Sequence, residues 1–235
     1  MQQLPLRMSL RDAARFENFV PGANAEVCEL LSAPARANSP RVLWLWGRAG
    51  TGKTHLLQAA CAADGQHGLA AAYVDLAMAP GSGLLEGCET LDLVSLDNLD
   101  SVAADPEWNA GLFRLHTLLQ DGTGRLVLAS TAPPASLPLV LPDLRSRLLA
   151  ASVHQLVEPR EAEQCAALRR RAAIRGLELT DEAALYLVHR LPRDMHSLLT
   201  VLDELDVASL VAQRRLTIPF LRAALEARLP PSQDS

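Results

Sequence analysis

Apolar positions follow two regimes along this chain, and the change falls near Glu158-Pro159. In the first regime, short apolar runs alternate with longer amphipathic stretches. Val42–Trp46 (VLWLW) is continuously apolar, as a strand buried on both faces must be. Comparable runs at Ala71–Val74, Leu91–Leu96, Leu126–Ala129 and Val153–Val157 predict four more strands. Ala- and Leu-rich stretches between them predict helices, clearest at Thr54–Ala63 and Trp108–Leu119, with a short one at Ala25–Leu31. Ala33–Pro40 is small and proline-punctuated and reads as a loop. Strands alternating with helices predict an α/β fold, a parallel sheet with helices on both faces.

In the second regime the strand pattern stops. Arg160–Arg175, Asp181–Leu191, Asp194–Gln213 and Ile218–Leu229 all read as helices. Thr180 is a good N-cap, followed by Asp181 and Glu182 at the positive end of the helix dipole. Thr217 and Pro219 mark the start of the last helix in the same way. The expected organisation is a loosely structured segment 1–15, an α/β domain 16–158 and a small all-helical domain 159–235 with an unstructured tail from Pro230.

Composition narrows the function classes. Hydrophobic residues make up 49% of the 235 residues but aromatics only 4%, so the core must be mostly Leu, Ala and Val. A net charge of -5 argues against a protein that wraps nucleic acid through its phosphates. The run Arg169-Arg170-Arg171 reads as a solvated helix face, and any single arginine reads as surface by default. Cys28, Cys61, Cys88 and Cys165 are scattered without a C-x-x-C pair, which suits small core residues in a reducing cytoplasm. The six histidines show no ligand spacing. No apolar run approaches the ~18 residues of a membrane span, and residues 1–10 lack the apolar centre of a signal peptide.

The candidate chemistry lies in Gly47-Arg48-Ala49-Gly50-Thr51-Gly52-Lys53-Thr54, which fits the P-loop pattern G-x-x-x-x-G-K-[ST] between a predicted strand and a predicted helix. Lys53 is the single lysine among the 22 Lys and Arg residues. A compact ammonium on a flexible stem reaches between β- and γ-phosphates where a planar guanidinium is bulkier. The loop's backbone N–H groups and the following helix N-terminus favour phosphate. Lys53 is expected to bridge the phosphates, and the Thr54 hydroxyl to bind Mg²⁺. Asp97, at the end of Leu91–Leu96, is the matching second metal group. Asn98 follows where many ATPases carry an acid that polarises water. It reads either as a turn residue or as a neutral replacement that leaves the isolated chain a slow ATPase.

These residues resemble the AAA+ module of the DnaA family of replication proteins, and within it the Hda group of regulatory paralogues. The resemblance covers about Phe16–Leu229. Phe16-Glu17-Asn18-Phe19-Val20-Pro21-Gly22 is similar to the family's entry segment, which implies that Phe19 and Val20 lie beside adenine. His55-Leu56-Leu57 follows the P-loop as in DnaA relatives. Leu96-Asp97-Asn98 looks like the Hda form of the acidic strand end, and Leu216-Thr217-Ile218-Pro219-Phe220 looks like an Hda lid. The resemblance places Ser130 and Thr131 at sensor 1, Arg147 of Leu144-Arg145-Ser146-Arg147-Leu148 at the arginine finger, and Arg193 at sensor 2. A cation at the start of a helix, as at Arg193, opposes the dipole by a few tenths of a kcal/mol, which itself asks for an anionic partner. Gln3-Leu4-Pro5-Leu6 is similar to the peptide by which such proteins bind the sliding clamp.

The resemblance implies a negative regulator of replication initiation. It would hold ADP or ATP with Mg²⁺, dock on the polymerase III sliding clamp, and offer Arg147 to ATP held by DnaA. Contact with DNA is expected only indirectly, since no helix-turn-helix segment follows the lid. The oligomeric state is left open between monomer and homo-oligomer, and the intact Lys53 and Thr54 are compatible with ATP binding and some intrinsic turnover. The competing classes are an initiator-like DNA-binding factor and an autonomous helicase-loading ATPase.

Overall fold

The computed structural model describes residues 14–33, 40–192, 194–212 and 216–228. The chain divides into two compact units, one spanning Ala14–Glu158 and the other containing everything from Pro159 onward. The first holds α1 (Ala25–Ser32), β1 (Val42–Trp46), α2 (Lys53–Gln66), β2 (Ala71–Asp75), β3 (Leu93–Asp97), α3 (Pro106–Asp121), β4 (Arg125–Ser130), α4 (Pro142–Leu149) and β5 (Ser152–Gln155). Its five strands form one sheet in the order β2-β3-β4-β1-β5, and every neighbouring pair is parallel.

Strand alternation sorts the core into two layers. Trp44, Val94, Leu96, Leu126 and Leu128 face α3 and α4, meeting Trp108, Leu112, Leu115, Leu144 and Leu148. Leu43, Leu45, Leu93, Val127 and Ala129 face the other way, onto Val27 and Leu31 of α1 and Leu56, Leu57 and Ala60 of α2. Every residue of β3 and β4 is buried, whereas β2 and β5 at the sheet edges are half-covered. That is why the central strands read as continuous apolar runs.

Strand β4 carries a charge that the sequence reading leaves at the surface. Arg125 is 1% exposed. Its guanidinium donates to the carbonyls of Leu30 (3.3 Å), Leu31 (3.4 Å) and Ala33 (3.2 Å) at the end of α1, and lies 3.6 Å from Asp64 on α2. Helix α1 ends with carbonyls that have no intrahelical partner, and Arg125 satisfies them. Helix α4 is the element that sequence reading misses.

The second unit contains α5 (Glu161–Ile174), α6 (Asp181–Arg190), α7 (Met195–Ala212) and α8 (Ile218–Arg228), with its own core of Leu168, Leu187, Leu198, Leu202 and Leu221 among others. Thr180 caps α6, accepting from the Ala183 N–H at 3.2 Å. Two of the three arginines in the run, Arg169 and Arg170, are exposed, as expected of a solvated face. Arg169 pairs with Asp181, while Arg171 is mostly covered and pairs with Asp203 at 3.6 Å. Among the described residues no helix is long and apolar enough to cross a membrane.

Candidate nucleotide site

The turn from β1 into α2 builds the site. Strand β1 ends at Trp46, and its backbone carbonyl accepts from Leu156 N–H at 2.7 Å. Residues 47–52 then turn over the sheet edge, and Lys53 opens α2. A Cβ on Gly47 would sit 2.6 Å from the Leu156 carbonyl oxygen, so only glycine lets the loop pass β5. Gly52 holds a left-handed conformation (φ +96°), and a Cβ there would lie 2.5 Å from the Phe19 ring. Arg48 is exposed and pairs with Glu158 at 3.3 Å, and Ala49 and Gly50 form the loop's tip. Thr51 is buried, its hydroxyl donating to the Arg48 carbonyl at 3.0 Å.

Lys53 is 8% exposed and folds back into the loop, its ammonium donating to the carbonyls of Gly47 (2.6 Å) and Arg48 (2.9 Å). Burial lowers its pKa, and the charges of Asp97 and Asp100 oppose that shift. Thr54 donates to Asp97 Oδ2 at 2.6 Å. The same oxygen accepts from the Tyr73 hydroxyl at 3.1 Å, and Asp97 Oδ1 accepts from the Asn98 N–H at 2.9 Å. Burial and the neighbouring Asp97 charge push the Tyr73 pKa up, so the phenol stays a donor. Thr54 and Asp97 thus present a hydroxyl and a carboxylate together, the hard-oxygen set suited to Mg²⁺. Among the described residues no group of three or more His, Cys, Asp or Glu side chains gathers around a metal position, so an ion here would complete its shell with phosphate and water.

Asn98 is the one described non-glycine residue at positive φ (56°). Its amide donates to Asp75 Oδ1 at 2.8 Å, so the side chain is turned to the end of β2. Asp75 stands opposite Asp97 in the parallel register and also accepts from the Ala77 N–H at 3.0 Å. The positive φ at the turn after β3 agrees with the reading of Asn98 as a turn residue.

The entry segment crosses the loop. Phe19 lies on Gly52, with its ring centroid 5.6 Å from that of His55. His55 in turn contacts the Arg15 carbonyl at 2.9 Å. Val20 follows, half-buried. Asn24 anchors the segment by a two-way amide bridge to Val157, donating to its carbonyl (3.0 Å) and accepting from its N–H (2.8 Å).

Ser130 and Thr131 differ. Ser130 is 1% exposed and committed, accepting from Trp44 Nε1 at 2.8 Å and donating to the Ala132 carbonyl at 2.5 Å. Thr131 is exposed, and its hydroxyl donates to Asp100 at 2.6 Å. Arg147 stands apart from these groups. It belongs to α4 and packs against α3, its guanidinium carbon 4.5 Å from the Phe113 ring centroid and its Nη1 3.0 Å from Thr117 Oγ1. Gln3, Leu4, Pro5, Leu6 and Arg193 lie outside the described residues. Sequence reading overlooks Tyr73 and Asp75. The only available signal is that β2 also ends an apolar run with an acid.

Comparison with known proteins now bears on this geometry. Residues 161–225 match the family model of the Hda lid domain, and residues 10–75 match that of the bacterial DnaA ATPase domain. Domain III of the Thermotoga maritima replication initiation protein DnaA is similar in structure, with a TM-score of 0.77 and 20% identity over 94% of this chain and 98% of that one. A replication initiator DnaA bound to AMPPCP and single-stranded DNA gives a TM-score of 0.68 at 21% identity over 92% of this chain and 69% of that one. The Thermotoga maritima RuvB Holliday junction branch migration motor gives 0.66 at 16% identity, over 91% and 73%. These likenesses show the fold, a parallel α/β unit and a helical unit of the kinds found in DnaA and RuvB.

Proposed function

We propose, from the premise that this chain belongs to the DnaA family of AAA+ proteins and carries an Hda-type lid, that it is a nucleotide-holding regulator of replication initiation that acts on DnaA. The observation that carries the reading is the pairing of a complete phosphate loop with a neutral residue after Asp97. Lys53, Thr54 and Asp97 converge, which suits binding of an adenine nucleotide, ADP or ATP, as in the DnaA that holds AMPPCP. Thr54 and Asp97 would hold Mg²⁺, which would neutralise phosphate charge. Asn98 cannot take a proton from water, and its tie to Asp75 turns it to β2. The own-site nucleotide then serves as a structural ligand more than a substrate.

Arg147 is the residue that acts on the partner. A guanidinium offered in trans to a γ-phosphate stabilises the charge of the transition state and is worth about 10³–10⁵ in rate. Clamp binding through Gln3, Leu4, Pro5 and Leu6 would raise its effective concentration where replication is active. Arg193 would sense the bound nucleotide. DnaA becomes ADP-bound, and a second initiation is suppressed.

The test is hydrolysis of ATP bound to purified DnaA, with and without this chain, the sliding clamp and DNA. Wild type is expected to accelerate hydrolysis, Arg147→Ala to abolish the effect, and removal of residues 1–8 to remove the dependence on clamp. Equal stimulation by wild type and Arg147→Ala overturns the finger. A second reading, an autonomous ATPase or helicase loader, draws on the intact phosphate loop and the likeness to RuvB. It predicts substantial turnover by the chain alone, which the same assay without DnaA measures.

A further inference from the structure

The reading above leaves the position of Arg147 unexplained. A residue that works on another molecule's phosphate should be extended and solvated, and this one is folded onto its own protein. One face and one of its five N–H groups are engaged within this chain. Its face rests on Phe113, 4.5 Å from the ring centroid, and an edge N–H donates to Thr117 Oγ1 at 3.0 Å. The Thr117 hydroxyl spends its own proton on the Phe113 carbonyl at 2.8 Å, which leaves its oxygen purely an acceptor and aimed at Arg147. Phe113 and Thr117 are four residues apart on α3, so they share one face. His116 adjoins them, buried, with its pKa lowered by that burial and by the Arg147 charge, so it is neutral and does not repel the guanidinium. Arg145, two residues before Arg147 on α4, is exposed and donates to a loop carbonyl, that of Ala135 at 3.1 Å.

We propose that α3 is a latch for Arg147: Phe113 and Thr117 hold the guanidinium docked against this chain, and presentation to an ATP-bearing partner requires its release. The partner assignment rests on the function proposed above, but the latch does not. Phe113 and Thr117 are positioning residues, and they set the fraction of molecules in which Arg147 is free. A partner that binds only the released form sees its apparent affinity reduced by that fraction.

The experiment begins with the chain alone. Phenylglyoxal modification, resolved by peptide mass spectrometry, compares Arg147 with Arg145 in the same molecule. Arg147 is expected to react more slowly than Arg145 in wild type. Phe113→Leu and Thr117→Val should each speed Arg147 by about threefold, the scale of a partly exposed cation–π contact, and leave Arg145 unchanged. Phe113→Tyr, which keeps an aromatic face, should restore the slow rate. In the DnaA assay the two latch variants should lower the half-saturating concentration by the same factor and leave the maximal rate unaltered. If Arg147 reacts as fast as Arg145 in wild type, or neither variant speeds it, the latch is wrong. If the variants free Arg147 but DnaA-bound ATP hydrolysis does not respond, the latch stands and the trans-acting finger falls.

Discussion

Replacing Gly52 by alanine tests whether the entry segment and the phosphate loop form one unit. Two costs can be worked from the structure. The backbone at Gly52 has φ +96°, and an L-residue held in such a conformation costs about 1–2 kcal/mol. The new methyl would also stand 2.5 Å from Phe19 Cε2 and 3.2 Å from Cζ. Carbon atoms in contact prefer about 3.5–4.0 Å, so the ring must retreat by roughly 1 Å. Tilting it off its rotamer by that amount costs about 0.5–1.5 kcal/mol. Gly52→Ala should therefore lose about 2–3 kcal/mol in urea unfolding. In Phe19→Leu the ring edge is gone, so the second cost disappears while the backbone cost remains. The double variant should be more stable than the sum of the singles predicts by about 0.5–1.5 kcal/mol. Fluorescent ADP titration of the same variants should show weaker binding in Gly52→Ala, because the loop's amides lose their alignment. Additivity within ~0.5 kcal/mol would refute the packing of Phe19 on Gly52.

Three further outcomes follow from the buried polar groups. Asp64→Asn leaves the Arg125 guanidinium, whose side chain is 2% exposed, without its counter-charge and should cost about 3 kcal/mol in urea unfolding. His116 has a folded-state pKa below its ordinary value because burial and Arg147 disfavour the cation. Its contribution is therefore complete above the unfolded value near 6.5 and is lost as pH falls through and below it. His116→Gln should flatten that acid limb in thermal melts between pH 7.5 and 5.5. Asn98→Asp sets a second carboxylate against Asp75 and should destabilise by about 1 kcal/mol, with Asp75→Asn restoring stability as the hydrogen bond is rebuilt in reverse.

The features legible in sequence are those that are contiguous or periodic. VLWLW reads as a strand because β1 is covered on both sides by α2 and α3 layers. The phosphate loop reads as a loop because its glycines, Lys53 and Thr54 are consecutive. Asp97 could be named because it ends an apolar run. Helix α4 escapes notice because it follows the proline-punctuated stretch 133–142, and its polar Asp143, Arg145, Ser146 and Arg147 mask the two buried leucines, Leu144 and Leu148. Tyr73 and Asp75 escape because nothing local says that β2 lies beside β3 in the register Asp75↔Asp97. Arg125 escapes for a subtler reason. In a chain rich in arginine, composition argues for the surface, while the need of α1 for a cation at its carbonyl end appears only when β4 is placed beneath it.

The contacts of Arg147 lie on α3 and not on this chain's own phosphate loop. The residues suited to this chain's own phosphates lie where β1 and β3 end and α2 begins, and they contact one another: Lys53 with the loop carbonyls, Thr54 with Asp97, Asp97 with Tyr73. A guanidinium directed at that site would be expected beside Asp97 or Asp100. Arg147, on α4, instead packs against Phe113 and Thr117 of α3, and makes no ion pair among the described residues. An unpaired, half-buried cation is tolerated because an aromatic face and a hydroxyl solvate it weakly. If Arg147 acts on another molecule's phosphate, as proposed, it must first leave this resting place, and breaking a contact of this kind costs about 0.5–1 kcal/mol.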